Sequence, residues 1–245
     1  MSFLIGLTAG AFGGLVGLGG GVLMVPLMVA FKKVGQHKAH GTSLVALVLT
    51  GVFGAMLYFL FNRVDIQAAV LLAAAALLPA RWGAKYCCDI PESKLQRLFG
   101  IFLIVTSIFL LVKPYFPSMV YLTHGAYRIL ILLLTGAATG FISGLMGVGG
   151  GAVMISGMVL LAGFDQHTAQ GTSLLAMVPA GIVGAFTYWQ LENVEKNILW
   201  GLIPGIIIGT FTGGTAAHLL PELTLRVIFA IVLILTGLRF IQFKG

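Results

Sequence analysis

Charged residues are scarce in this chain of 245 residues. They make up 9% of it, and Asp and Glu together number only seven. A soluble globular chain carries about 25% charged residues, so this one lacks the polar groups to cover a water-facing surface. Its two cysteines are adjacent, at Cys87 and Cys88, with no metal-ligand spacing around them. The composition therefore excludes a soluble globular domain, and we assign the two cysteines no role.

Apolar residues are abundant instead and make up 59% of the chain. They form long runs at 44–61, 68–80, 98–112, 129–141, 198–211 and 227–238. A transmembrane barrel would show segments of about ten residues that alternate in polarity, and the sequence has none. The pattern predicts an all-α polytopic membrane protein, with the lipid bilayer as its environment.

The net charge of +7 comes from basic residues in short loops between apolar runs. This distribution is typical of the positive-inside bias of membrane proteins. The sequence has no patch that combines basic and aromatic residues, so we expect no nucleic-acid partner.

The second half of the chain repeats the first at an offset of 130 residues without a gap. The glycine motif GLVGLGGGVLMVPLM at 14–28 recurs as GLMGVGGGAVMISGM at 144–158, and Q-H and G-T-S-L recur behind it. We therefore predict a first membrane repeat at 1–113, a linker at 114–128 and a second membrane repeat at 129–245. Membrane proteins built from two such halves are very often secondary transporters.

Each half reads as about five helical segments. The first-half segments are expected at 2–17, 21–32, 41–61, 66–87 and 95–113, and those of the second half at 129–147, 151–163, 171–190, 197–218 and 225–243. A straight crossing needs about 20 apolar residues, and the segment after Gly21 has only about a dozen. The first two segments of each half are therefore expected to be short and joined by a Gly-rich break.

Loop charges indicate how the two halves are oriented. The loop at 31–40 carries three lysines, whereas the matching loop at 161–170 carries no Lys or Arg. Opposite charge at matching loops predicts two inverted-topology repeats, with both termini and ten of the 14 Lys and Arg residues on the cytoplasmic side. A parallel repeat with four crossings per half is the alternative.

The glycine breaks are the first candidate site. Three consecutive glycines let the backbone leave helical geometry, and the helix that follows presents its N–H groups and the positive end of its dipole, which suits an anion. The alternative is close helix packing along a ridge of small residues. The candidate substrate-binding glycines are Gly19, Gly20, Gly21, Gly149, Gly150 and Gly151.

Polar side chains near the breaks are the second candidate group. Hydroxyl groups at the expected start of the third segments can donate to an oxyanion, cap their helices or hydrogen-bond within them. They belong to Thr42, Ser43, Thr172 and Ser173. Matched polar pairs at Gln36, His37, Gln166 and His167 are proton or substrate contacts, or else interfacial residues. Arg81 attracts anions into a vestibule or snorkels to the interface.

The paired glycine motifs, the Q-H and G-T-S-L segments and the two-half layout resemble the TauE/SafE family of sulfite exporters. The resemblance covers about 6–238. It implies a polytopic inner-membrane permease that moves small sulfur-containing anions, such as sulfite and organosulfonates like sulfoacetate, outward in many cases. Pro26 fits the first-half pattern, whereas Ser156 replaces it in the second half.

The repeat and the glycine breaks predict a secondary transporter of a small anion that works by alternating access, and the resemblance implies the export of a sulfur-containing oxyanion. A passive anion channel, a membrane enzyme and a non-transporting scaffold are the alternatives. We expect no enzyme, cofactor or metal site, because the sequence has no nucleophile–base set, no clustered metal ligands and no nucleotide loop. A homodimer is compatible with a chain of this size.

Overall fold

A computed structural model describes residues 1–87, 90–112, 126–146 and 149–242, which form helices with no strand among them. The helices are α1 Ser2–Val16, α2 Gly21–Lys32, α3 Gln36–Leu60, α4 Ile66–Cys87, α5 Glu92–Val112, α6 Ala126–Met146, α7 Gly151–Leu160, α8 Gln166–Gln190, α9 Lys196–Leu219 and α10 Glu222–Gln242. Five of them are long and apolar enough to cross a membrane, namely α3, α4, α6, α8 and α9. The all-helical membrane fold is confirmed.

The centre of the molecule is the crossing of α3 and α8, which occupy matching places in the two halves. A Cβ added at Gly54 of α3 would lie 2.9 Å from Leu174 Cδ1, near the start of α8. A Cβ added at Gly184, near the end of α8, would lie 3.2 Å from Leu44 Cδ1 in α3. Because the start of each helix meets the far part of the other, α3 and α8 run antiparallel.

Small residues join each half to the other along two further helix pairs. In the first pair, a Cβ added at Gly10 of α1 would lie 2.6 Å from the carbonyl oxygen of Ile206 in α9. In the second, a Cβ added at Gly136 of α6 would lie 2.5 Å from that of Leu72 in α4. Helix backbones approach this closely only where the contact residues are small. The first helix of each half therefore packs against the fourth helix of the other half, and the halves interlock.

The third segments begin earlier than their hydropathy predicts. We expected starts at 41 and 171, but α3 begins at Gln36 and α8 at Gln166. Gln36, His40, Gln166 and Gln170 at these helix starts are buried in the protein rather than placed in a loop. Asp165 caps α8 by accepting a hydrogen bond from the Thr168 N–H. The G-T-S-L segments therefore lie inside the helices and do not cap them.

Other boundaries also differ from the sequence reading. The helix after the second break is shorter than expected, since α7 ends at Leu160 instead of 163. The expectation that the first segment of the second half is short was wrong, because α6 has 21 residues and is long and apolar enough to cross a membrane. Of the predicted linker at 114–128, only 126–128 lies within the described residues, where it forms the first turn of α6.

One face of the bundle carries most of the described basic residues. We call it the amino-terminal face, since Ser2 lies there against Gly201, and the Lys38 ammonium lies 3.5 Å from the Glu195 carboxylate. The antiparallel return of α10 brings its last residue, Gln242, to the same face. Arg63 and Arg128 lie on the opposite face, with Asp165 and Asp65 as their ion-pair partners.

Candidate functional site

Both glycine breaks turn the chain back on itself. Gly19 and Gly20 have φ of +79° and +75°, and Gly149 and Gly150 have φ of +84° and +62°. Residues with a side chain rarely adopt this left-handed backbone conformation, whereas glycine adopts it readily because it has no Cβ. The turn brings Gly20 beside Ala9, in the middle of α1. The predicted breaks are therefore present, and each reverses the direction of the chain.

The helices that follow the breaks start without a side-chain cap. Gly20 is the N-cap residue of α2 and Gly150 that of α7, and neither start has a side-chain cap hydrogen bond. The first N–H groups of a helix have no acceptor within it. Gly21 and Gly151, the first residues of the two helices, are buried. Two helix N-termini with positive dipole ends thus lie inside the bundle.

The two breaks meet at the same pair of side chains. A Cβ added at Gly19 would lie 2.8 Å from Leu47 Cδ1 and 3.4 Å from Met177 Sδ. A Cβ added at Gly149 would lie 3.0 Å from Met177 Sδ and would also meet Leu47 Cδ1. Leu47 and Met177 occupy matching places near the middle of α3 and α8, and we call them the central pair. They are almost fully buried.

A line of buried polar residues leads to the central pair along each of the two crossing helices. The spacing of four, three and four residues places each line on one helix face. The α8 stripe consists of Gln166, Gln170, Ser173 and Met177, and the α3 stripe of Gln36, His40, Ser43 and Leu47.

The α8 stripe follows the first break closely. A Cβ added at Gly17 would lie 2.6 Å from Gln170 Cβ, and the Ser173 hydroxyl donates to the Gly17 carbonyl oxygen at 2.8 Å. Tyr58 Oη lies 3.1 Å from Gln170 Oε1 and 3.0 Å from the Gly14 carbonyl oxygen. This stripe therefore runs from the opposite face to the first break.

The predicted hydroxyl contacts already have hydrogen-bond partners within the protein. The Thr42 hydroxyl donates to the Lys38 carbonyl oxygen at 2.6 Å and accepts from the Glu195 N–H at 2.8 Å. The Thr172 hydroxyl accepts from the Asp65 N–H at 2.9 Å. Ser43 donates to the His40 carbonyl oxygen at 2.8 Å. Each threonine thus joins its own half to the other, and direct contact of these hydroxyls with a substrate stays a prediction.

Replacing Ser173 with alanine is expected to lower the free energy of unfolding by about 1–2 kcal/mol, because a buried hydrogen bond between the halves is lost. Ser107→Ala is the matched control, since the equally buried Ser107 hydroxyl donates only to the Ile104 carbonyl oxygen of its own helix. Unfolding in a denaturing detergent measures both. Equal destabilisation by the two substitutions would contradict the bridging role of Ser173.

The two candidate glutamines have polar atoms without partners. Gln166 is fully buried, and neither its amide oxygen nor its amide nitrogen has a hydrogen-bond partner in the described part of the chain. Gln36, at the matching place, is 3% exposed and its Oε1 also has no partner there. A buried unpaired polar group costs about 1–3 kcal/mol. The glutamine side chains are therefore available to a ligand or to water.

Sequence reasoning missed His218, which lies beside the predicted His167. The two imidazole rings stack with centroids 5.7 Å apart, and His218 also stacks on Phe61 at 4.0 Å. The repeat offered no signal, because Cys88 occupies the place that matches His218. His37 and His167 are both half-buried near opposite faces of the bundle.

Arg81 lies away from this central arrangement. It is exposed on α4, next to the buried Ala80, which packs on Gly144 of α6. Its vestibule role stays a prediction. Among the residues that the structure describes, no group of three or more His, Cys, Asp or Glu side chains could hold a metal ion.

Comparisons with known proteins find membrane transporters. The chain is 27% identical to the probable membrane transporter protein YunE of Bacillus subtilis, over 98% of both chains. It is 26% identical to the probable membrane transporter protein YjnA of the same organism, over 97% of this chain and 98% of the relative. It is 25% identical to a probable membrane transporter protein of Haemophilus influenzae, over 98% of this chain and 96% of the relative.

No solved structure shows a significant match to the chain. The family described as Sulfite exporter TauE/SafE matches residues 2–240. The relatives, the family and the apolar helices together support a multi-pass membrane transporter rather than an enzyme. The chain belongs to the TauE/SafE sulfite exporter family.

Proposed function

We propose that the chain is a secondary transporter that exports a small sulfur-containing oxyanion, such as sulfite or an organosulfonate like sulfoacetate, across the inner membrane by alternating access. The observation that carries the proposal is the meeting of both glycine breaks at Leu47 and Met177. A substrate site at the junction of two broken helices is a recurrent design of transporters with internal repeats.

The chemistry around the breaks favours an anion over a cation. The two helices that follow the breaks start without a side-chain cap, and their positive dipole ends favour an anion. The buried polar side chains of the described residues are amides, hydroxyls and one imidazole, and none of them is a carboxylate that would repel an anion. We assign anion binding to the backbone at Gly19, Gly20 and Gly21 and at 149–151. Thr42, Ser43, Thr172 and Ser173 hold the breaks in shape or contact the anion.

The stripes provide the two routes that alternating access requires. We infer that Gln166 and Gln170 line the route between the opposite face and the central pair. Gln36 and His40 then line the route from the amino-terminal face. The buried central pair separates the routes in this conformation. Rocking one half against the other would expose one stripe at a time.

Helix directions and charges support an inverted repeat with a cytoplasmic amino-terminal face. The matching helices α3 and α8 are antiparallel, as two inverted units require. Exposed basic residues of the described chain concentrate on the amino-terminal face, and under the positive-inside bias this supports a cytoplasmic position for that face. They include Lys32, Lys33, Lys38, Lys85, Lys94, Arg97 and Lys196.

Counterflow in proteoliposomes tests the proposal. With unlabelled sulfite inside, labelled sulfite outside and no ion gradient, a carrier is expected to accumulate label transiently above equilibrium, because inside substrate drives exchange. Liposomes without protein are the control, and sulfoacetate is the second substrate.

The passive anion channel is the competing function, and the same assay separates the two. A channel dissipates the label gradient without an overshoot, since it has no alternating step. Overshoot with sulfoacetate but not sulfite would change the substrate and keep the carrier. Correctly folded protein that gives no overshoot with either anion would contradict the proposed function.

A further inference from the structure

A cavity of about 320 Å³ opens on the amino-terminal face, just before the start of α3. Its polar lining carries three ammonium groups and one carboxylate, since it includes Lys32, Lys33, Lys38 and Glu195. Lys38 and Glu195 pair with each other at 3.5 Å. The ammonium groups of Lys32 and Lys33 therefore have no carboxylate partner among the lining residues. The resulting positive charge of the cavity favours an anion.

The start of α3 adds to this positive potential. Its N-cap residue is Gly35, which lines the cavity and offers no side chain to cap the helix. The positive end of the α3 dipole therefore lies at the cavity. The next residue, Gln36, is 3% exposed, and its Oε1 has no partner in the described part of the chain. Directly after the lining residue Gly35, the chain thus holds a buried amide whose oxygen is unpaired among the described residues.

The matching place on the opposite face already contains an anion of the protein itself. Asp165 takes the place of Gly35, accepts a hydrogen bond from the Thr168 N–H at 3.1 Å and lies 3.5 Å from Arg63. Burial raises the pKa of the Asp165 carboxyl. The hydrogen bonds with Thr168 and the charges of Arg63 and His167 outweigh that effect and hold the pKa below its usual range. The lowered pKa of Asp165 favours a carboxylate at the start of α8.

On that face, uncharged residues stand in the places of the lysines, and buried side chains occupy the space that matches the cavity. Ala162 and Gly163 match Lys32 and Lys33, and both Ala162 and Phe164 are buried. The Arg128 guanidinium lies 4.7 Å from the centroid of the Phe164 ring and 2.7 Å from the Asp65 carboxylate. The turn before α8 on the opposite face therefore contains buried side chains and a capping carboxylate. The matching turn before α3 on the amino-terminal face borders an open, basic cavity and has no capping side chain.

We propose that the cavity on the amino-terminal face binds a small oxyanion group, held by Lys32, Lys33 and the start of α3 in the place that the Asp165 carboxylate occupies in the second half. The group belongs either to a free anion or to the phosphate of an anionic lipid. For a free anion, the inference rests on the proposed function and makes the cavity the capture site of the exporter, beside Gln36 at the start of the α3 stripe.

Installing the missing carboxylate tests the site. Gly35 has φ of −60° and is exposed, so a side chain fits its backbone. Gly35→Asp and Gly35→Asn both cap α3, but only the aspartate adds an anion. In calorimetric titrations of sulfite into the purified full chain in zwitterionic detergent, we expect the aspartate variant to lose about tenfold in affinity, the equivalent of ~1.4 kcal/mol. The asparagine variant should remain close to the wild type.

Lys33→Gly separates binding from folding. Lys33 has φ of +53°, and its match Gly163 has φ of +73°. Glycine suits this backbone better than lysine does, so the thermal midpoint should stay level or rise. Sulfite affinity should nevertheless fall several-fold because an ammonium group is lost.

Nanodiscs of phosphatidylcholine and of phosphatidylglycerol identify the source of the oxyanion. If phosphatidylglycerol weakens sulfite binding to the wild type but not to the Gly35→Asp variant, the lipid phosphate is the occupant and the site is supported. Binding that ignores lipid charge but is lost in Gly35→Asp supports a free anion.

Identical sulfite titrations of the wild type, Gly35→Asp and Lys33→Gly, with no effect of phosphatidylglycerol, would overturn the inference. Wild-type counterflow is measured separately, so failure of this site and failure of the proposed transport are distinguishable.

Discussion

Gly20→Ala and Gly150→Ala are each expected to reduce anion flux at least about tenfold, which corresponds to ~1.4 kcal/mol in the barrier. A left-handed backbone costs a residue with a Cβ about 1–2 kcal/mol. At Gly20 the new Cβ would also lie 2.5 Å from the Ala9 carbonyl oxygen, and at Gly150 it would meet Thr139. The break must therefore shift, and the start of the following helix must shift with it.

The control for these variants is Gly184→Ala in α8. Its added Cβ would lie 3.2 Å from Leu44 Cδ1, the end of a side chain that can move, and Gly184 has no positive φ. Counterflow measures the flux, and size-exclusion profiles establish that each variant is folded. Folded Gly20→Ala and Gly150→Ala proteins with wild-type flux would remove the breaks from the transport site.

The double variant Leu47→Ala/Met177→Ala is expected to convert the carrier into a leak. Both side chains touch both breaks and are almost fully buried between the two proposed routes. Each truncation opens space and costs about 2–5 kcal/mol of stability in a packed core. With the space open, both stripes can admit water and anion together, so the counterflow overshoot should disappear while passive equilibration of label accelerates about tenfold.

Leu44→Ala is the matched control for the central pair. Leu44 is equally buried on α3, but it packs against Gly184 of α8. It should lower stability about as much as one of the two truncations and preserve the overshoot, because the barrier between the stripes stays in place. A double variant that still gives a wild-type overshoot, with no faster leak, would show that the barrier lies elsewhere.

Local sequence signals predicted the helices and the breaks, because apolar runs and three consecutive glycines act through nearby residues. The start of α3 escaped the same reasoning. Gln36 and His40 look like loop residues by hydropathy, yet they are buried against the rest of the bundle. Burial of a polar residue in a membrane protein depends on neighbours that are distant in the chain.

Of the candidate site, only the glycine backbone of the two breaks could be predicted from the sequence. Leu47 and Met177 carry no chemical signal, since a leucine and a methionine in apolar runs look like ordinary core residues. Their importance comes from the crossing of α3 and α8, which brings both breaks to them. The hydroxyl of Ser173 could likewise be recognised as polar, but not as a partner of the Gly17 carbonyl oxygen in the other half.

The packing of α1 against α9 can form only late in the synthesis of the chain. The glycine face of α1 packs on α9, which the ribosome makes only after most of the chain has been inserted. Until then, α1 and its uncapped break lack the surroundings that bury them, and lipid cannot satisfy the exposed backbone groups. The amino-terminal hairpin therefore depends on insertion machinery or a peripheral position until the second half arrives. Truncation within that half would remove the surface of α9 that covers α1.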